Sequence, residues 1–310
     1  MILAPTADAI ARAAQTLRAG GLVAFPTETV YGLGADARSP AAVGAVFLRK
    51  GRPASNPLIV HVDGVEMARS VVAEWPARAD ALAARFWPGP LTLVLAKEPG
   101  LPAAVTAAGE TVAVREPDHP VALELIRVSG RPLVAPSANP SGAVSPTTAE
   151  HVEADFPDLL ILDGGPCRAG IESTVLDLTG PGAARVLRQG VVTPEEVAAV
   201  LGEPVAVGAV ARAARSPGVA GAHYAPRAPV RLVAPEEVAP EGVARVKLPE
   251  SAVESAARLY ATLREADAAG PEGIWVEAPT PEQLAGPEGS LWRAILDRLQ
   301  RAAGGMRGRH

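Results

Sequence analysis

The sequence is poor in several residue types, and each scarcity excludes something. Its 310 residues hold one cysteine, Cys167. That excludes an intramolecular disulfide and a cysteine-based zinc site, and a lone thiol fits a reducing compartment. Only three lysines, Lys50, Lys97 and Lys247, stand among 29 basic residues, and the formal net charge is −5. The chain as a whole is therefore no general nucleic-acid binder, although a local basic groove is compatible with that balance. No run approaches the ~20 apolar residues that a membrane helix needs. Met1 to Gly20 lacks a basic stretch followed by an unbroken apolar run, so no signal peptide is expected. The default expectation is a cytoplasmic protein without a membrane partner. Asparagine occurs twice, at Asn56 and Asn139, and 31 prolines are present. Heat adaptation and biased coding would both give that composition.

What is present suits a folded protein. Hydrophobic residues make up 48% of the chain and charged ones 20%. Such a chain buries a core without staples, and its length suits one large domain or two ordinary ones.

The first 202 residues alternate short apolar runs with helical patterns. Strands are expected at Leu22–Phe25, Leu58–Val62, Leu91–Ala96, Val112–Val114, Leu133–Ala135, Leu159–Leu162, Thr174–Leu178 and Arg185–Leu187. Ser39-Pro40 opens a helix that runs to Lys50, and Gly51 stops it. Ser145-Pro146 is expected to start a helix through His151. Thr193-Pro194-Glu195-Glu196 starts another with a capping-box pattern. The irregular spacing predicts α/β architecture with a mixed twisted sheet rather than a regular doubly wound one. Residues 203–229 read as a linker rich in Gly, Pro, Ala and Arg. It carries Ser216-Pro217-Gly218 and His223-Tyr224-Ala225-Pro226, more specific than a flexible connector requires. Residues 230–310 form a smaller α/β unit. Strands are expected at Val230–Val233 and Ile274–Val276, with helices at Ser251–Ala268 and Ser290–Ala303.

Four stretches have chemical character. In Lys50-Gly51-Arg52-Pro53-Ala54-Ser55-Asn56, two cations leave a helix end. They suit either the helix dipole or a phosphate pocket. Ala135-Pro136-Ser137-Ala138-Asn139, continuing to Ser145, is either a capped turn or an anion-binding turn. Pro26 to Gly34 matches neither nucleotide-binding glycine fingerprint. Asp163-Gly164-Gly165 through Glu172-Ser173-Thr174 is a glycine-rich turn. Among single residues, His61 reads first as a core histidine, and Arg115 and Arg188 as surface ion pairs. Cys167 lacks a histidine partner and Ser137 lacks a nucleophile elbow. Physical reasoning thus reaches a basic, hydroxyl-rich site for an anionic ligand and does not name a reaction.

Taken together the motifs are more specific. Pro-Thr-Glu-Thr-Val-Tyr-Gly-Leu, Lys-Gly-Arg-Pro with Asn-Pro-Leu and His61, Trp87-Pro88-Gly89-Pro90-Leu91-Thr92, Ala-Pro-Ser-Ala-Asn and Glu-Ser-Thr-Val follow in the order of the YrdC family. The chain resembles the family's long form, the threonylcarbamoyl-AMP synthases. In that form a catalytic domain (1–202) is joined by a linker that closes over the site (203–229) to a small Rossmann-like domain (230–310). It departs from the pattern at Gln189, where proline is usual, and at Val219, where methionine is usual.

The resemblance implies that L-threonine, bicarbonate and ATP give threonylcarbamoyl-AMP and pyrophosphate. The product feeds N6-threonylcarbamoyladenosine formation at position 37 of tRNA, through partner transferase proteins. By the same resemblance, Lys50 and Arg52 act on the phosphates. Arg52, Asn56, Thr111, Asn139, Ser145, Arg188 and Tyr224 hold ATP, with Mg2+ on the phosphates and no protein metal ligand assigned. Thr29, Tyr31, His61, Arg115, Ser137 and Ser173 hold threonine, with Arg115 on its carboxylate. Tyr224 closes over the site. The competing reading is a double-stranded RNA or tRNA-binding module, against which the net charge weighs. A carbamoyltransferase reading lacks the cysteine pairs of hydrogenase-maturation proteins.

Overall fold

The computed structural model describes residues 1–180, 182–208 and 223–304. The expected Ser216-Pro217-Gly218 feature and Val219 lie outside the described residues. In chain order the first elements are β1 (Ile2–Leu3), α1 (Ala7–Arg18), β2 (Val23–Phe25), β3 (Gly32–Asp36), α2 (Pro40–Lys50), β4 (Ile59–His61) and α3 (Val65–Arg69). Then come α4 (Ala77–Phe86), β5 (Leu91–Ala96), β6 (Thr111–Arg115), α5 (Pro120–Ser129), β7 (Leu133–Val134), α6 (Ala149–Asp155) and β8 (Leu160–Leu162). The large unit ends with β9 (Thr174–Asp177), β10 (Arg185–Arg188), α7 (Pro194–Leu201) and β11 (Ala206–Val207). The small unit holds β12 (Val230–Val233), β13 (Val243–Val246), α8 (Ala252–Ala268), β14 (Gly273–Glu277), α9 (Pro281–Ala285) and α10 (Gly289–Ala303).

Among the described residues, β1 to β11 form one mixed sheet in the order β1-β8-β2-β3-β7-β4-β6-β5-β9-β10-β11. Strand alternation sorts its side chains between two layers. Val23 and Phe25 join the cluster of α1 and α5, whereas Ala24 between them joins the cluster that holds α2 and α4. Helix ends follow local chemistry. Ser39 Oγ accepts from the Ala42 amide, Pro40 sits in the first turn, and Gly51 closes α2 at φ 62°, a left-handed conformation that glycine adopts without Cβ strain. Thr193 and Glu196 complete a reciprocal capping box on α7.

Three expectations need correction. No helix starts at Ser145: α6 begins at Ala149, capped by Thr148 Oγ1. Ser145 and Pro146 are drawn elsewhere, because Ser145 Oγ donates to Glu172 and the Pro146 carbonyl accepts from the Tyr31 amide. The linker reading begins too early, since β11 pairs in parallel with β10. Gly32–Asp36, absent from the expected strands, is a strand antiparallel to β2. Its two glycines hide the apolar pattern, and Phe25 lies so near Gly34 that an added Cβ would sit 2.6 Å from the ring.

The small unit is a three-stranded parallel sheet with β14 central, and α8 makes the crossover from β13 to β14. Its core does not stop at its own boundary. Val30, Val144, Ile171 and Tyr224 belong to the same cluster as Leu259, Tyr260 and Ile295. Among the described residues, no helix is long and apolar enough to cross a membrane.

Candidate active site

A cavity opens where the β2–β3 turn, the ends of β4 and β6, the loop after β7 and the start of β9 converge, under the segment at Tyr224. The floor is apolar: Val30, Leu58, Ile59 and Ala135. The polar groups fall into two sets.

The first set surrounds Arg115. Parallel pairing of β4 and β6 places His61 beside it. The guanidinium is 3% exposed and donates to Thr29 Oγ1 at 3.0 Å and to Glu28 Oε2 at 3.3 Å. Thr27 Oγ1 lies 2.8 Å from Thr29 Oγ1 and accepts from the Val30 amide, so the turn fixes both hydroxyls. Burial pushes the Arg115 pKa down, and Glu28 opposes that shift. His61 is pushed well below the ordinary histidine range, by burial first and by Arg115 second. Its imidazole is therefore neutral near pH 7. Within the described residues, His61 Nδ1, Arg115 Nε and Glu28 Oε1 are buried without hydrogen-bond partners, and buried polar atoms left this way are uncommon in folded proteins.

The second set is cationic. Lys50 Nζ lies behind the wall and donates to the Ser137 and Asn139 carbonyls, each at 2.5 Å. Burial, then the nearby Arg52 charge, pushes the Lys50 pKa well below the usual lysine range. Arg52 Nε donates to the Asn56 carbonyl at 3.0 Å and its NH2 to the Pro57 carbonyl at 2.8 Å. Burial lowers its pKa to about 10. Arg188 at the end of β10 donates to the Ser173 carbonyl at 3.0 Å and to Ser173 Oγ at 3.2 Å. Ser173 Oγ also meets Thr92 Oγ1 at 2.7 Å. Glu172 faces this cluster. Burial pushes its carboxyl up, but Arg298, Arg188 and its hydrogen bonds outweigh that and hold it below the ordinary range.

His223 and Tyr224 complete the wall. Tyr224 has a left-handed backbone, φ 63°, and its ring stacks on Tyr260 with centroids 5.4 Å apart. A left-handed non-glycine residue costs roughly 1–2 kcal/mol and needs support from its surroundings. Burial lowers His223 to about 4.

Of the residues expected from sequence, the cavity brings together Thr29, Arg52, His61, Arg115, Ser137, Ser173, Arg188 and Tyr224. Lys50 and Ser145 stand just behind it through their hydrogen bonds to Ser137 and Glu172. Asn139 braces its own loop, with Nδ2 on the Pro140 and Ala143 carbonyls at 2.9 Å each. Asn56 contributes its carbonyl to Arg52. Two residues are not brought to the wall. The Tyr31 hydroxyl donates to the Gly165 carbonyl at 2.9 Å, and Thr111 begins β6 while Arg115 ends it.

Sequence reasoning missed Glu28, Glu172, His223 and Arg298 as wall or support residues. Arg298 had a legible signal: it falls on the buried stripe of α10 with Leu291, Ala294, Ile295 and Ala302, where helical spacing calls for an apolar residue.

A family model described as telomere recombination, covering Sua5, YciO and YrdC, matches residues 15–190. The chain belongs to the Sua5/YrdC family. A second model, described as the C-terminal domain of threonylcarbamoyl-AMP synthase, matches residues 192–304. Among relatives, the threonylcarbamoyl-AMP synthase of Pyrococcus abyssi is 42% identical over 324 residues, covering 94% of this chain and 93% of the relative. That of Bacillus subtilis is 49% identical over 230 residues, covering 72% of this chain and 66% of the relative. Sua5 of P. abyssi complexed with L-threonine is similar in structure, with a TM-score of 0.86 and 40% identity. The match covers 96% of this chain and 94% of that one. E. coli YciO shares the fold of 64% of this chain at a TM-score of 0.56 and 21% identity.

Proposed function

We propose that this member of the Sua5/YrdC family is a threonylcarbamoyl-AMP synthase. It consumes L-threonine, bicarbonate and ATP and releases pyrophosphate. The observation that carries this reading is the pairing of two sets in one cavity: Arg115 with fixed hydroxyls, beside Arg52 and Arg188, with Lys50 buried behind the wall. The first suits an amino acid carboxylate through a planar fork, the second a chain of phosphates.

Arg115 takes the threonine carboxylate, and Thr29, Ser137 and Ser173 supply hydroxyls around its polar atoms. The neutral His61 imidazole offers an acceptor and takes no charge from the ligand. The threonine amine, once deprotonated, adds to CO2 derived from bicarbonate and gives a carbamate. A carbamate oxygen attacks the α-phosphorus, the bond from that phosphorus to the bridging oxygen breaks, and pyrophosphate leaves with both electrons. Arg52 and Arg188 neutralise the developing charge, and Lys50 supports them from behind. Such a step needs alignment and charge stabilisation more than a covalent enzyme residue. Mg2+ would be held by the triphosphate and would neutralise phosphate charge there, because both Glu172 oxygens already accept hydrogen bonds and the cations and hydroxyls facing the cavity suit phosphate oxygens. Tyr224 closes the site over the bound reactants. The labile product passes to partner transferase proteins that modify adenosine 37 of tRNA, and the chain works in the cytoplasm with them.

Pyrophosphate release from ATP by the purified chain tests the reading. Release that requires both threonine and bicarbonate, with a threonine-containing adenylate among the products, is expected. No release from folded protein that retains double-stranded RNA would support the RNA-binding reading instead.

A further inference from the structure

Arg298 sits on the apolar stripe of α10 and is 1% exposed. A buried guanidinium carries a desolvation cost of several kcal/mol unless its donors are used. They are used across the boundary between the two units. Its NH1 donates to the Gln189 carbonyl at 2.6 Å, and its Nε donates to Glu172 Oε2 at 3.3 Å. Those two acceptors lie next to Arg188 and Ser173, the pair at the cationic end of the cavity. Tyr260, on α8, is fully buried, and its hydroxyl donates to the same carboxylate, 3.1 Å from Oε1 and 2.9 Å from Oε2. Ser145 Oγ donates to Glu172 Oε1 at 2.8 Å. Among the described residues, one side-chain donor from the large unit and two from the small one hold Glu172, while it lines the cavity.

We propose that Arg298 and Tyr260 are positioning residues for the triphosphate, acting through Glu172, so that the small unit supports the active-site wall from behind. The proposal rests on the synthase reading for the identity of the ligand. The charged and titratable groups facing Glu172 are Arg188 from β10, Arg298 and Tyr260 from the small unit, and His223 and Tyr224 from the segment before β12. Without Arg298 the carboxylate turns onto Arg188 and draws that guanidinium away from phosphate, or it takes a proton and releases the Ser145 hydroxyl. Either change weakens the hold on ATP. Tyr260 adds a second link, because its ring also supports Tyr224.

The test uses the full chain. Arg298→Met keeps length and removes charge. It is expected to raise the KM for ATP about tenfold, as coupled neighbours commonly do, with the threonine KM within about twofold. The pH profile of kcat/KM gains an ionisation on its acid limb, and adding Glu172→Gln removes that ionisation. Arg298→Lys restores part of the ATP affinity. Tyr260→Phe keeps the stack on Tyr224, loses one donor and raises the ATP KM about threefold. If Arg298→Met does not fold, Tyr260→Phe carries the test on the same readouts. Folded variants with wild-type KM values and an unchanged pH profile overturn the proposal. Calorimetric binding of a non-hydrolysable ATP analogue reads the same shifts without turnover. An inactive wild type that binds the analogue therefore counts against the reaction reading and leaves the positioning proposal to be judged on affinity.

Discussion

At the scale of the residue, Arg52 separates folding from chemistry most cleanly. Its hydrogen bonds go to two carbonyls of a loop whose neighbours Pro53, Ala54 and Ser55 are exposed. No strand pairing depends on it, whereas the cavity loses one of its cations without it. Arg52→Ala is therefore expected to lower kcat by about two to three orders of magnitude, with the far-UV circular dichroism unchanged. Near-normal pyrophosphate release would remove Arg52 from the site. Residues of this kind were legible because rarity marked them: one of three lysines and one of two asparagines fall in the same seven-residue stretch. Glu172 was not legible. It lies in a quoted motif, but what holds it is Tyr260 and Arg298, 88 and 126 residues away, and no local pattern encodes that distance.

At the scale of the element, two glycines in the large unit predict opposite outcomes. A Cβ on Gly190 would lie 2.5 Å from the Thr174 nitrogen and 2.6 Å from the Glu172 oxygen. Both are backbone atoms, so the strand ends must part. Gly190→Ala should cost about 1–3 kcal/mol and loosen Arg188 from Ser173. Gly44 lies inside α2 with open space around the missing methyl, and Gly44→Ala should stabilise by about 0.5–1 kcal/mol. Thermal melts of the two variants should move in opposite directions, and movement in the same direction refutes the assignment. Helices with strong caps were readable from sequence almost to the residue, as α2 and α7 show. Short strands made from glycine, such as β3, were not, because their pairing partners supply the order that their side chains lack. The false helix at Ser145 has the same origin: a capping sequence was outbid by Glu172, a partner outside the local window.

At the scale of the whole molecule, one buried and three half-buried histidines set the response to acid. His61, His119, His151 and His223 all have depressed pKa values, with burial the largest cause in each, and His223 falls to about 4. In the unfolded chain each takes a proton near pH 6.5. Below that pH the unfolded state binds protons that the folded state refuses, so stability falls as pH falls. His223 alone accounts for a loss on the order of 3 kcal/mol between pH 6.5 and 4. Depressed carboxylates such as Glu172 extend the loss below about pH 4.5. Calorimetric melting should show Tm dropping from pH 7 to 5, and a flat profile there would contradict the burial of these rings. The placement of Arg298 also has a consequence in time. A chain is made from its N-terminus onward, and the wall at Glu172 waits for a side chain from α10, far along the chain. On the ribosome, the residues of the large sheet emerge well before α10, so the hold on ATP reaches its final strength only once α10 has been made and docked.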